Sequence, residues 1–137
     1  MIVIDTHVLV WMIEGDKCIG RNAIALIEAE RALDGVGIVP ITTWELAMLV
    51  DKDRLVIGQP IASWFDTVLA TPGYVLTPWA VSIGIDAGML PGDIHGDPAD
   101  RLIIATARAL GCPVLTADRK ILDYAASGHV QAIDARR

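Results

Sequence analysis

The sequence predicts an α/β fold, a three-layer α/β/α sandwich around a mostly parallel central sheet. Short, continuous apolar runs alternate with segments of helical apolar spacing, and runs of this length suit strands that are covered on both faces. Right-handed crossovers then place helices on both sides of the sheet. With 137 residues, 53% of them hydrophobic, the chain is long enough for one substantial core. We therefore expect residues 1–137 to form a single domain.

Strands are predicted where apolar runs are bounded by Asp, Gly or Pro. Met1-Ile2-Val3-Ile4 ends at Asp5, and Tyr74-Val75-Leu76 follows the turn Thr71-Pro72-Gly73. The predicted strands lie at residues 1–4, 37–41, 74–76 and 113–115, with an edge strand at 130–133.

Seven helices are predicted from apolar residues that recur three and four positions apart. One opens at Gly20 or Asn22 and ends at the turn Asp34-Gly35. The others span residues 6–13, 42–50, 61–70, 78–88, 98–110 and 119–126.

Two helix starts carry acidic residues with purely structural explanations. Asp97-Pro98 combines an N-cap acceptor with a proline suited to the first helical position, and this helix stops at Gly111. Thr42 to Glu45 has the spacing of a capping box. Such capping contributes roughly 0.5 to 2 kcal/mol without any function.

The charge and cysteine content limit the classes of partner and compartment. The net charge is -6 and the pI about 4.8, the wrong sign for a broad basic surface that binds nucleic acid. Any such contact must be local, through metal ions or a few Arg and Lys. The apolar run at residues 1–13 is shorter than a membrane span and lacks a basic start, so we expect neither a signal peptide nor a transmembrane helix. Cys18 and Cys112 have no metal or disulfide spacing, which favours core or near-core positions in a reduced, cytoplasmic protein.

Several acidic residues fall where the predicted strands end or the next helices begin. In a parallel sheet these positions share one edge, outside the carboxyl ends of the strands. Two carboxylates about 5 Å apart repel by roughly 3 kcal/mol at an effective dielectric of about 20, so a cluster requires protons or cations. Oxygen ligands without Cys or His around them select Mg²⁺ or Mn²⁺. The candidate ligands are Asp5, Glu45, Asp97, Asp100 and Asp118.

Two such ions about 4 Å apart can activate a water molecule and stabilise the leaving oxygen of a phosphodiester. This chemistry needs no side-chain nucleophile. The sequence accordingly has no Gly-x-Ser-x-Gly elbow, P-loop, Gly-x-Gly-x-x-Gly or His-Glu-x-x-His motif.

Cations and aromatic residues near the acids have both functional and structural interpretations. Arg101, Arg119 and Lys120 adjoin the acids and either hold phosphate or act as counter-charges. His7 and His95 could touch substrate, although structural roles are more common for such histidines. The tryptophans occupy helical positions and are expected in the core rather than as stacking platforms for bases. They are Trp11, Trp44, Trp64 and Trp79.

Four ordered motifs resemble those of PIN domains of VapC-type toxins. They are Asp5-Thr6-His7 after an apolar strand, Trp44-Glu45-Leu46-Ala47, the run from His95 to Ala107 that contains Asp97-Pro98-Ala99-Asp100-Arg101, and Leu115-Thr116-Ala117-Asp118. The resemblance covers nearly the whole chain. Each motif alone is weak, whereas the ordered set is fairly specific.

The resemblance implies a Mg²⁺- or Mn²⁺-dependent ribonuclease of a toxin–antitoxin pair, usually dimeric and inhibited by a small antitoxin that obstructs the acidic site. Asp5, Glu45, Asp100 and Asp118 would then form the acidic quartet, with Asp97 as an accessory acid or only a cap. Thr116 matches the hydroxyl before the last acid and could orient a metal-bound water. One departure is Lys52-Asp53-Arg54-Leu55, where relatives often have Lys-Gly-Arg-Leu. The extra acid weakens an RNA-contacting role for this turn.

Two other functions remain compatible with the sequence. A Mg²⁺-dependent phosphatase could use a similar sheet, although an Asp-x-Asp pair is missing after the first strand. A catalytically inert interaction module would use its acids only as helix caps. Such a module would gain no stability from divalent cations, since only a ligand that binds the folded state stabilises it.

Overall fold

The computed structural model describes residues 1–137, in which five strands alternate with seven helices. The strands are β1 (Ile2–Ile4), β2 (Val36–Ile38), β3 (Tyr74–Leu76), β4 (Val114–Thr116) and β5 (Ala132–Asp134). The helices are α1 (Thr6–Glu14), α2 (Arg21–Arg31), α3 (Ile41–Asp51), α4 (Ile61–Ala70), α5 (Val81–Gly88), α6 (Pro98–Leu110) and α7 (Arg119–Ala126). None of these helices combines the length and apolar character needed to cross a membrane.

The five strands form one sheet in the order β3-β2-β1-β4-β5, and every neighbouring pair is parallel. The central strand β1 pairs Val3 with Gly37 of β2 on one side and with Val114 of β4 on the other. β1, β2 and β3 follow one another outward in one half of the sheet, and the chain then returns to place β4 on the other side of β1. The strand order therefore reverses between β1 and β4. Ligands of open parallel sheets bind outside the strand ends at such a switch point.

Two hydrophobic cores lie on opposite faces of the sheet. Ile2 and Ile4 of β1 pack in one core with side chains of α1, α2, α3 and α4, whereas Val3 packs in the other core with side chains of α5, α6 and α7. This alternation follows from the two-residue period of a strand. The predicted three-layer α/β/α sandwich is confirmed.

The start of α6 matches the sequence prediction. Asp97 is the N-cap, Pro98 occupies the first turn, and Gly111 ends the helix in the left-handed conformation with φ 65°. The helix is amphipathic, and Ile103, Ile104 and other small or aliphatic side chains are fully buried. The predicted bounds of α4 and α7 are also those observed.

The boundary between β2 and α3 differs from the prediction. β2 ends at Ile38 rather than at residue 41, and α3 begins at Ile41 after Pro40, which makes no side-chain cap. Thr42 is therefore inside the helix, and its buried hydroxyl is hydrogen-bonded to that of Thr6 at 3.1 Å. The predicted capping box is wrong because a tertiary partner, rather than the helix start, takes the Thr42 hydroxyl.

Other sequence expectations about burial hold only in part. Trp64 is in the core and donates a hydrogen bond from Nε1 to Glu14 Oε1 at 3.2 Å. Trp44 and Trp79 are exposed, which contradicts the expected core positions, and Trp11 is only half-buried. Among the cysteines, Cys112 is buried as expected. The expectation for Cys18 is wrong: it is exposed in a turn after α1.

Candidate active site

An acidic cleft of about 320 Å³ lies outside the carboxyl ends of β1 and β4. It gathers five carboxylates that come from distant parts of the sequence, together with His7, Trp11 and one arginine. The lining residues are Asp5, His7, Trp11, Glu45, Asp97, Asp100, Ala117, Asp118 and Arg136. The acids predicted to converge are thus brought together by the order of the strands.

Asp5 is the most buried of the acids and ends the central strand. Its Oδ1 accepts a hydrogen bond from the backbone N–H of Thr6 at 2.7 Å, and its Oδ2 accepts one from the Thr116 hydroxyl at 2.6 Å. Burial raises the pKa of Asp5, although these two hydrogen bonds oppose that effect. The carboxylate is held rigidly at the base of the cleft.

Thr116 links the two central strands at the site. Its hydroxyl donates to Asp5 and accepts a hydrogen bond from the backbone N–H of Asp118 at 3.0 Å. Asp118 caps α7, and its Oδ1 accepts from the backbone N–H of Lys120 at 2.8 Å. The threonine predicted before the last acid therefore fixes the relative positions of two cleft acids.

Glu45 projects from the first turns of α3 without a capping role. Its Oε1 is buried and has no hydrogen-bond partner. Burial raises the pKa of Glu45, the nearby charge of Asp5 adds to this rise, and the Thr6 hydroxyl partly offsets it. An acidic oxygen that is buried without a donor is costly and calls for a partner.

Asp97 and Asp100 enter the cleft from the start of α6. Asp97 Oδ1 accepts hydrogen bonds from the backbone N–H groups of Ala99 at 2.9 Å and Asp100 at 3.4 Å, so its capping role is confirmed. Asp100 Oδ2 is hydrogen-bonded to His95 Nε2 at 3.0 Å. Oxygen or nitrogen atoms of His95, Asp97 and Asp100 lie within 4.8 Å of one another.

Burial and the surrounding negative charges raise the pKa of Asp100 to about 8. The contributing neighbours, after burial, are Asp5, Asp97, Asp118 and Glu45. The five carboxylates therefore act electrostatically as one cluster. Such a cluster holds either protons or a cation near neutral pH.

The donor set of the cleft fits a hard divalent cation. All five acids offer carboxylate oxygens, and the Glu45 Oε1 atom has no donor within the protein. Oxygen-rich sites without sulfur suit Mg²⁺ and Mn²⁺. His95 is the one histidine whose possible metal-ligand atom lies within 4.8 Å of those of Asp97 and Asp100. Its Nε2 is already hydrogen-bonded to Asp100 Oδ2.

The predicted cationic residues lie outside the cleft. The Arg101 guanidinium donates to the carbonyl oxygens of Ala87, Gly88, Ile94 and His95, over 2.8 to 3.3 Å, rather than facing the acids. Arg119 is exposed, and its Nη1 lies 3.9 Å from Asp123 Oδ1. Lys120 borders a neighbouring cavity.

Arg136 lines the cleft, although no feature of the sequence predicted it there. It follows the edge strand by two positions, whereas the five acids and His7 belong to motifs near the ends of β1 and β4 or the starts of α3 and α6. No local pattern marks it, because its place depends on where β5 pairs in the sheet.

Comparisons with known proteins agree with this architecture. The PIN domain model matches residues 2–127. The chain is 32% identical over 126 residues to Ribonuclease VapC22 of Mycobacterium tuberculosis, covering 90% of this chain and 91% of that protein.

Solved structures share the fold at low identity. VapBC2 from Rickettsia felis bound to a promoter DNA fragment gives a TM-score of 0.71 at 18% identity and 98% coverage of both chains. FitAcB from Neisseria gonorrhoeae gives a TM-score of 0.62, also at 18% identity and 98% coverage of both chains. These structures show the fold alone. The family match and the curated relative establish that the chain belongs to the PIN domain family and, within it, to the VapC-type ribonucleases.

Proposed function

We propose that this chain is a Mg²⁺- or Mn²⁺-dependent endoribonuclease that acts as the toxin of a toxin–antitoxin pair. The observation that carries the proposal is the Glu45 carboxylate, which lines the cleft with four other acids and has one buried oxygen, Oε1, without a hydrogen-bond partner. Helix capping accounts for Asp97 and Asp118, but it does not account for this atom. Ribonuclease activity is the function named for the curated relative.

Asp5, Glu45, Asp100 and Asp118 would hold the cation, with Asp97 as an accessory acid. When bound, the cation supplies Lewis-acid activation of water and stabilises the oxygen that leaves the phosphodiester. Because the protein then needs no nucleophilic side chain, the absence of the usual nucleophile motifs is consistent with the proposal.

The remaining residues of the site orient the acids. Thr116 fixes the Asp5 carboxylate and the backbone of Asp118 through one hydroxyl. His95 holds Oδ2 of Asp100. Preorganised acids lose little freedom when they bind a cation, which favours a well-defined position for the reacting phosphate.

The partner assignments extend the likeness to toxin–antitoxin proteins. We propose a small cognate antitoxin that obstructs the acidic cleft, a homodimer as the assembly of the chain, and the cytoplasm as its location. One solved structure of similar fold, from Klebsiella pneumoniae, is a toxin–antitoxin complex. The homodimer and the cytoplasm come from the family resemblance and the absence of a disulfide pattern.

Cleavage of end-labelled, structured RNAs tests the proposal directly. The purified chain is incubated with Mg²⁺, Mn²⁺ or EDTA, alongside Asp100→Asn and the control Asp66→Asn. Asp66 is exposed on α4 and lies outside the cleft, so both variants replace a carboxyl group by an amide but only one alters the site. We expect cation-dependent cutting at discrete positions by the parent and the control, and a loss of at least about 100-fold in Asp100→Asn.

Three results would contradict the proposal. Parent-rate cutting by a folded Asp100→Asn chain would remove the acids from the reaction. Turnover of a small phosphomonoester without RNA cutting would indicate a phosphatase. If divalent cations neither bind nor raise the Tm, the chain is an inert module whose acids only cap helices.

A further inference from the structure

Arg136 is the one arginine or lysine that lines the acidic cleft. Its Nη1 donates a hydrogen bond to the carbonyl oxygen of Ala117 at 2.7 Å. None of its side-chain nitrogens lies within 4.0 Å of a carboxylate oxygen, although five acids share the cleft. The guanidinium is thus a neighbour of the acids without being ion-paired to any of them.

The backbone on both sides of Arg136 is firmly held. Ala135 donates to the Thr116 carbonyl at 2.8 Å and accepts from the backbone N–H of Gly20 at 2.8 Å, while the Arg137 carbonyl accepts from Ala23 at 2.9 Å. Gly20 lies so close that an added Cβ would overlap the backbone of Arg137. The position of Arg136 is therefore built into the fold, because its segment is pinned between β4 and the start of α2.

The N–H donors of the Arg136 guanidinium that have no partner in the protein suit a phosphate. An arginine carries five N–H donors in a planar fork, and only one contact within the protein is made here. Ala117 lies between Thr116 and Asp118, so Arg136 is anchored beside two residues of the proposed site. A polyanion that approaches five acids meets repulsion, which one correctly placed cation at the exposed rim reduces.

We propose that Arg136 binds a backbone phosphate of the RNA at the rim of the cleft and thereby positions the strand for cutting. This inference rests on the proposed ribonuclease function and names the residue that contacts its substrate. A structural counter-ion would be expected to pair with a carboxylate, whereas this guanidinium is held by a carbonyl and remains open to a ligand.

The test compares Arg136→Gln and Arg136→Lys with the control Arg137→Gln. Arg137 is the adjacent exposed arginine, and its side chain does not line the cleft. Each substitution is made in the Asp100→Asn chain for binding and in the parent chain for cleavage. Binding of a fluorescently labelled, single-stranded RNA of mixed sequence is measured by anisotropy in Mg²⁺ at several salt concentrations.

We expect Arg136→Gln to weaken binding about tenfold or more and to lower the salt slope by about one phosphate contact. Arg136→Lys restores part of the affinity because it keeps the charge but loses the bidentate fork. In the parent chain, KM rises more than kcat falls, and the Mg²⁺ concentration for half-maximal rate stays constant. Arg137→Gln leaves all of these values unchanged.

Each other outcome overturns the inference in a recognisable way. Equal RNA affinity in Arg136→Gln and Arg137→Gln, with normal cleavage by the parent, refutes the phosphate contact and leaves the ribonuclease intact. An unchanged KM with a lower Mg²⁺ requirement assigns Arg136 to charge balance among the acids. If the parent neither binds nor cuts RNA, the proposed function fails as well.

Discussion

At the scale of single residues, Glu45 is the acid of the cleft whose position helix capping does not explain. Asp5, Asp97, Asp100 and Asp118 each accept at least one hydrogen bond from the protein, so local structure explains part of their presence. Glu45 Oε1 is buried and accepts none. A residue that costs stability in the absence of a ligand points to a site shaped by that ligand.

Replacing Glu45 by Gln should stabilise the protein when no divalent cation is present. The change removes one charge from a mutually repelling cluster, and we expect a gain of about 1 kcal/mol, or a Tm rise of a few degrees, in EDTA at pH 8. The same variant should lose most of the Tm increase that Mg²⁺ gives the parent. Thermal unfolding with and without Mg²⁺ measures both effects, with Asp66→Asn as the matched control. A lower Tm in EDTA together with a full Mg²⁺ response would contradict the assignment.

The sequence could not separate capping from ligation at this scale. Asp97 and Asp118 both cap helices and line the cleft, so an aspartate at a helix start is compatible with either role. Spacing predicted their convergence because strand ends share an edge. It could not reveal the unsatisfied oxygen of Glu45, which depends on packing across α1 and α3.

At the scale of elements, the loop before α6 is held by Arg101. This side chain donates to two carbonyl oxygens at the end of α5 and to two in the loop, at Ile94 and His95. The next residue toward the N-terminus, Asp100, is bonded to His95. Arg101 therefore holds the loop that carries His95 and does not line the cleft, whereas the sequence was also compatible with a direct contact between Arg101 and phosphate.

Arg101→Lys should destabilise the fold because a compact ammonium cannot reach four carbonyl groups at once. We expect a loss of about 2 kcal/mol in urea unfolding and faster hydrogen exchange in residues 89–97. The salt slope of RNA binding should stay that of the parent, since no phosphate contact is removed. Arg54→Lys, in an exposed turn, is the control for the charge-conserving change. A reduced salt slope with unchanged stability would instead place Arg101 on the RNA.

Element boundaries were predictable only where local chemistry decides them. The Asp97-Pro98 start and the Gly111 end of α6 hold because caps act within a few residues. The β2–α3 junction was mispredicted because Ile41, a β-branched residue after Pro40, reads as strand but begins a helix. Its side chain packs against the core formed with α5, α6 and α7, which is a tertiary effect.

At the scale of the whole molecule, the strand order creates the cleft. Alternation of elements predicted a parallel sheet, but pairing of β1 with both β2 and β4 is what joins Asp5 to Thr116. Pairing of β5 with β4 then carries Arg136 to the same place. Neither neighbour relation follows from a local pattern, so the arginine was not found.

The electrostatics of the cluster make the stability of the whole domain depend on pH. The pKa of Asp100 is about 8 in the folded protein and near 3.8 in an unfolded chain, so between these values the folded state holds a proton that the unfolded state has released. Stability must fall as the pH rises through this window. Burial of Asp5 and Glu45 acts in the same direction, because it also raises their pKa values.

We therefore expect the Tm in EDTA to decrease from pH 5 to pH 8, and Mg²⁺ to raise the Tm far more at pH 8 than at pH 5. A bound cation replaces the proton on the cluster, and at 100 times its Kd it contributes about 2.7 kcal/mol. Differential scanning fluorimetry across this range measures both trends. Asp100→Asn should show a flatter pH dependence and little response to Mg²⁺, whereas Asp66→Asn should follow the parent. A parent Tm that rises with pH in EDTA, or a Mg²⁺ effect independent of pH, would refute the coupling between the acids and the cation.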